Sequence, residues 1–287
     1  MTDPTAAMSA VDPGAIMAKS GRENFPVASP LLPRGTRSHL LAIYGFARLV
    51  DDLGDEAPGD RLAGLDWLER ELDLVYEGTP GHPLMRRLVT TVHRFDVPDE
   101  PFRKLIEANR QDQRVGSYST YEDLLAYCEL SANPVGHLVL YVFEAATADR
   151  MKLSDSVCSG LQLTEHWQDV REDLERGRIY LPQEDLARFG CSVDDLGASR
   201  PTEAFARLMA FEVERARKLL ALGAPLVARL RGRPAVAVAA FVAGGRSALD
   251  AIVRAGYDVL GRSPRPSKPA RMWGLVRTLV EVKVGAA

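Results

Sequence analysis

The sequence predicts an all-α fold, a single-domain helical bundle, and three observations carry that prediction. Apolar residues recur three and four positions apart along most of the chain, and no clear run of strands appears. Proline and glycine cluster at intervals that leave segments of about ten to thirty residues between them. With 287 residues the chain can bury one large core.

Residues 1–14, with Asp3, Pro4, Asp12 and Pro13 and no apolar stretch, read as a disordered leader without a signal peptide, and residues 15–287 as one domain. The run Leu40-Leu41-Ala42-Ile43-Tyr44-Gly45-Phe46 reads as a strongly apolar helix that ends in acids. Leu62, Leu65, Leu68, Leu72 and Val75 mark a second helix. Phe205, Leu208, Met209, Leu219 and Leu226 repeat the pattern across Glu203 to Leu230, and Ala235 to Leu260 does so with small residues suited to close packing. Breaks are expected at Ala57–Gly59, Gly78–Pro83, Val97–Pro101, Gly197–Pro201, Gly232–Pro234 and Gly261–Pro269. The most apolar stretch, Val236 to Ala243, is too short to span a bilayer and reads as part of a buried helix.

Composition narrows the function classes. At 46% hydrophobic and 26% charged the chain is too apolar to be disordered, and a net charge of −3 supplies no bulk field for nucleic acid or an anionic membrane. Cys128, Cys158 and Cys191 are odd in number and lack CxxC spacing, which argues for a reducing cytoplasm rather than a disulfide framework. No acid stands three residues before a histidine, so an ExxH di-iron bundle is excluded.

The sharpest local feature is Arg48-Leu-Val-Asp51-Asp52-Leu-Gly-Asp55-Glu56. Asp51 and Asp55 lie four apart, as do Asp52 and Glu56, so each pair shares a helix face. Like charges at that spacing cost about 0.2–0.5 kcal/mol per pair, and acids near a helix C-terminus oppose its dipole. A bound cation offsets both; a solvated acidic cap before Gly54 and Pro58 also fits. A second stripe, Glu165, Asp169 and Asp173, again at intervals of four, follows Leu161 and Leu163 and flanks Trp167 and Val170. Facing each other across a bundle, two such stripes would form a carboxylate cage. Mg²⁺ suits it, because this ion prefers hard oxygen ligands and is usually completed by substrate phosphates. Arg48 and Arg178 stand beside the stripes and could grip the same phosphates bidentately, or form surface salt bridges.

With these motifs the chain resembles the squalene/phytoene synthase family from about Ala18 to Trp273. Ile43-Tyr-Gly-Phe-Ala-Arg48-Leu-Val-Asp51-Asp-Leu-Gly-Asp55 is similar to the family's first aspartate-rich motif, and Asp169-Val-Arg-Glu-Asp173 with Arg178-Ile-Tyr180-Leu-Pro182 to its second. Tyr127-Cys-Glu-Leu-Ser-Ala-Asn133-Pro-Val-Gly136 resembles the tyrosine-to-glycine signature between them. The resemblance implies an isoprenoid synthase bundle around a hydrophobic pocket, Mg²⁺ at its mouth, an isoprenoid diphosphate substrate, and a carbocation steered by apolar and aromatic walls. Tyr44, Tyr127, Tyr180 and Tyr257 are then candidate wall or quenching residues, though each equally suits core packing.

The entry segment Asn24-Phe25-Pro26-Val27-Ala28-Ser29, with Ala132-Asn133-Pro134-Val135, looks like the bacterial hydroxysqualene synthase branch, which captures the cation with water. Asn24 offers groups to hold that water, and is as well suited to capping a helix. Two positions depart from the family pattern: Glu165 stands where Asn is usual, and Gln168 where many members carry a basic residue. No nucleic-acid partner is expected from the charge, and the cysteines suit a cytoplasmic location; the resemblance further implies a separate downstream reductase and peripheral contact to the inner membrane, and no membrane helix is expected after Val284. The alternatives are a head-to-head synthase that joins two prenyl diphosphates, and an inactive helical scaffold.

Overall fold

The computed structural model describes residues 32–285, and these are all-helical as expected, with one isolated parallel bridge between Ser117 and Ile179. The leader, Asn24 and Phe25 lie outside the described residues. The chain divides into two compact units: residues up to 114 with Pro134–Thr147, and Val115–Asn133 with the residues from 148 onward.

In the first unit, α1 (Arg34–Asp51) continues into a π-helical turn (Asp52–Glu56), followed by α2 (Arg61–Glu77), α3 (Pro83–Phe95) and α4 (Glu100–Asp112). Capping fixes the boundaries. Asp60 accepts a hydrogen bond from the Ala63 amide at the start of α2, Gly78 closes α2 at φ 84°, and Pro83 opens α3 where its missing N–H costs nothing. α1 packs on α3 and α4, and α2 on the same two. Phe46 meets Phe102 edge to face at 4.9 Å, over fully buried Leu49, Leu65, Leu68, Leu72 and Met85. Burial of each such side chain stabilises by about 1.5–3 kcal/mol. Leu62, read as part of that apolar stripe, is exposed. On the outer side Arg110 joins Asp66 and Glu69, both at 2.6 Å, and ties α4 to α2. α6 (Asn133–Val142) belongs to this unit from Pro134.

The second unit contains α5 (Tyr121–Ser131), α7 (Ala148–Gln168), α8 (Val170–Glu175), α9 (Gln183–Phe189), α10 (Val193–Leu196), α11 (Glu203–Gly223), α12 (Leu226–Arg229), α13 (Gly232–Arg254) and α14 (Lys268–Gly285). Its centre is α7 against α11 and α13, with α14 on α13. Glycines permit that approach: a Cβ on Gly223 would stand 2.7 Å from Leu153 O and the Val157 amide nitrogen. The apolar run from Val236 sits in a helix of 23 residues, so the reading that it is too short for a bilayer does not hold by length and composition. Two-thirds of its most apolar window is nonetheless buried within the protein.

Candidate functional site

The first acidic cluster sits where α1 changes its winding. The sequence spacing places Asp51 and Asp55 on one α-helical face; instead the Ala57 amide reaches back five residues to Asp52 O at 2.8 Å, and Asp55 lies in a π turn. Such turns are rare and occur frequently at functional sites. The physical reason is close packing by α4. A Cβ on Gly54 would lie 2.1 Å from Asn109 Oδ1, and Gln113 Nε2 donates to Gly54 O at 3.0 Å.

Arg48, one turn ahead, pairs with Asp51 at 3.6 Å and with buried Asp52 at 3.2 Å. Asp51 is crowded by protein yet 47% exposed, the condition of a recessed but accessible group. Loss of bulk water pushes its carboxyl up to about 6; Asp55 adds to the rise, while Arg48 and a hydrogen bond from Asn109 oppose it. Tyr44 lies seven residues before Asp51 on α1 and is buried.

The second acidic cluster belongs to the other unit and also departs from a continuous helix. Asp169 takes φ −109° and ψ 20° between α7 and α8. The four-residue ladder survives the break, since Asp169 N donates to Glu165 O at 3.0 Å and Asp173 N to Asp169 O at 2.8 Å. Burial raises the Asp169 carboxyl, Glu172 and Asp173 add to the rise, and a 3.0 Å hydrogen bond from the Ser263 hydroxyl opposes it. Glu165 is half-buried one turn earlier. Gln168 does not replace a phosphate-binding base: its amide is buried and donates to Pro264 O, clasping the segment after α13 against the motif.

An aromatic cluster adjoins this second motif. Tyr180 stacks on His166 with centroids 3.6 Å apart and on Tyr118 at 5.9 Å, and Tyr127 lies 5.8 Å from Tyr180. The short ladder beside the isolated bridge positions it, with Ile179 N bonded to Gly116 O and Gln183 N to Tyr118 O. His166 also approaches Asp173 at 3.7 Å, and a small crevice is lined by both with Arg178 and Tyr180. Asn133, at the head of α6, accepts from the Ser159 hydroxyl at 2.9 Å. Tyr257 closes α13 at φ 64°, a left-handed conformation costly for a bulky residue, and takes no part in the ring cluster among the described residues.

Tyr127 and Tyr180 come together in this cluster. Tyr118, His166, Asn109, Gln113 and Ser263 are neighbours that sequence reasoning missed. Only His166 carried a local signal, its position inside the second acidic stripe.

Among the described residues no three His, Cys, Asp or Glu side chains converge as a ready-made metal site. Mg²⁺ does not require one, because it usually binds one or two carboxylates and takes its remaining ligands from water and phosphate. The donors are all carboxylates, and in each cluster one is held above its ordinary range by burial first and by its neighbouring acids second, so the pairs fit a hard divalent cation.

The squalene/phytoene synthase family model matches residues 18–271. A phytoene synthase from Arthrospira platensis is 33% identical over 255 residues, covering 84% of this chain and 82% of its own length. A hydroxysqualene synthase from Sinorhizobium fredii is 34% identical over 213 residues, covering 73% and 72%. The crystal structure of squalene synthase HpnC from Alicyclobacillus acidocaldarius superposes with a TM-score of 0.80 at 43% identity, covering 88% of this chain and 98% of that one. The fold, the order of the motifs and these matches make the chain a member of the squalene/phytoene synthase family of prenyl synthases.

Proposed function

We propose that this enzyme ionises presqualene diphosphate, lets the cation rearrange, and captures it with water, giving hydroxysqualene and diphosphate. The observation that carries the reading is the 34% identity to a hydroxysqualene synthase over 73% of the chain. The entry segment around Asn24 and Phe25, which lies outside the described residues, supports it with Asn133 and Pro134 at the head of α6.

Asp51 and Asp55, and Asp169 and Asp173 with Glu165, are the proposed Mg²⁺ ligands. When bound, the ion neutralises diphosphate charge and makes it a better leaving group. Arg48, oriented by Asp51 and Asp52, and Arg178 bind diphosphate oxygens. Tyr44, Tyr127, Tyr180 and Tyr257 are the proposed aromatic wall around the hydrophobic chain and its positive charge. Asn24 holds the water, which adds its oxygen to the cation and releases a proton to solvent. We place the enzyme in the cytoplasm; its product is an oil-like alcohol, which suits release at a membrane surface and reduction by a separate enzyme.

Condensation of two prenyl diphosphates is the second reading, favoured by 33% identity to a phytoene synthase over 84% of the chain. One experiment separates the two: incubation with presqualene diphosphate and Mg²⁺, without NADPH, in ¹⁸O-water. The expected product is a labelled hydroxylated alcohol identified by mass spectrometry. Unlabelled alcohol, squalene formed only with NADPH, or phytoene from geranylgeranyl diphosphate rejects the hydroxysqualene reading.

A further inference from the structure

The surface of α14 has two unlike sides. Gly274, Thr278 and Glu281, three and four residues apart, face α13. A Cβ on Gly274 would stand 2.8 Å from Ser247 Oγ, Thr278 is buried, and Glu281 accepts from Arg246 at 2.8 Å. Met272, Trp273, Val276 and Val280 point elsewhere and are 64%, 72%, 47% and 54% exposed. Exposed large apolar side chains occurring singly are ordinary, but four on one helix face form a patch that calls for a partner.

Charge selects that partner. Between residues 262 and 283 the chain carries six arginines and lysines against one acid, Glu281, although the whole protein has a net charge of −3. A helix with an apolar face that includes tryptophan, set in a basic segment, has the composition of one that lies in the interface of an anionic bilayer. A second protein surface would match the apolar face but give no reason for the local excess of positive charge.

We infer that α14 docks the protein on an anionic lipid surface, with Met272, Trp273, Val276 and Val280 seated among the acyl chains and the positive charge of the segment drawing it to anionic headgroups. The inference takes its purpose from the proposed function, since a water-insoluble product needs a lipid phase to enter, but its test does not depend on turnover.

The full chain is mixed with phosphatidylglycerol-containing vesicles and with pure phosphatidylcholine vesicles, and sedimentation and tryptophan emission are followed. Trp167 is fully buried and Trp67 half-buried, so Trp273 dominates the solvent-sensitive emission. Binding is expected to the anionic vesicles, with a blue shift, and to weaken as salt is raised. A Trp273→Ser, Val276→Ser double variant should partition about tenfold less and lose the shift, while its helical circular dichroism and its turnover in detergent stay at the wild-type level. Equal binding to both vesicle types, or to neither, overturns the inference. So does a wild-type dimer that the double variant converts to monomer, which would make the face a subunit interface. Protection of Trp273 from acrylamide quenching without lipid also overturns it, because another part of the chain would then cover the face. Failure of the product assay alone removes the proposed function and leaves lipid binding standing.

Discussion

At the scale of single residues, the first aspartate cluster depends on a side chain that is not there. Gly54 lets Asn109 come close to the π turn and hydrogen-bond Asp51, and a Cβ at Gly54 would collide with the Asn109 amide at 2.1 Å. Gly54→Ala is therefore expected to destabilise the protein by about 1–3 kcal/mol, the usual range for overpacking a filled site. The collision is specific, so Asn109→Ala should recover part of that loss when added to Gly54→Ala. Urea denaturation of the two single variants and the double variant measures this coupling, and strictly additive effects would refute the collision. Arg48 has a different part. Two carboxylates lie within 3.6 Å of it, which holds the guanidinium toward the recess before any anion arrives.

At the scale of elements, the second cluster is shaped by where helices stop. α7 breaks at Asp169, and the segment after α13 is fastened across the break by Gln168 to Pro264 and by Ser263 to Asp169. The Ser263 hydroxyl donates to the charged form of Asp169, so its removal makes that carboxylate harder to keep ionised and less well aimed. Ser263→Ala should raise the Mg²⁺ concentration for half-maximal diphosphate release about tenfold, the low end for loss of a partner behind a metal ligand. The rate at saturating Mg²⁺ should change little. An unchanged Mg²⁺ titration would show that the fastening does not act through Asp169.

At the scale of the whole molecule, folding stability carries a pH signature from a buried acid far in sequence from either motif. Glu212 on α11 is fully buried; burial first, and Asp185 beside it, push its carboxyl up to about 8, with Arg215 opposing. Arg215 pairs with both acids and lies over the Tyr121 ring at 4.1 Å. In the unfolded chain a glutamate ionises near its ordinary value of about 4.3. Between that value and about 8 the unfolded state has lost its proton while the folded state keeps it, so stability falls as pH rises through this window and levels off above it. Glu212→Gln should flatten the fall and leave the variant more stable than wild type at pH 8 by roughly 1–3 kcal/mol, with little difference near pH 4. Thermal melts across this range check it; a parallel decline in both proteins would place the titrating group elsewhere.

What the sequence determined by itself is local and periodic. Apolar spacing specified the helices, because burial of one face requires residues three and four apart. The same geometry made Asp51 with Asp55, and Asp169 with Asp173, legible as pairs, and the order of the motifs indicated the family. Tertiary structure decided how each pair is held. Asn109 and Gln113 reach Gly54 and Asp51 from α4, more than fifty residues along the chain, and Ser263 reaches Asp169 across 94. Tyr118 comes to Tyr180 through backbone pairing that neither segment announces. The π turn and the break at Asp169 were equally hidden, since close packing by α4 and the clasp after α13 impose them on residues that would otherwise continue a regular helix. Hydrogen bonds and steric exclusion between distant segments leave no period in a sequence, so they appear only once the chain has folded.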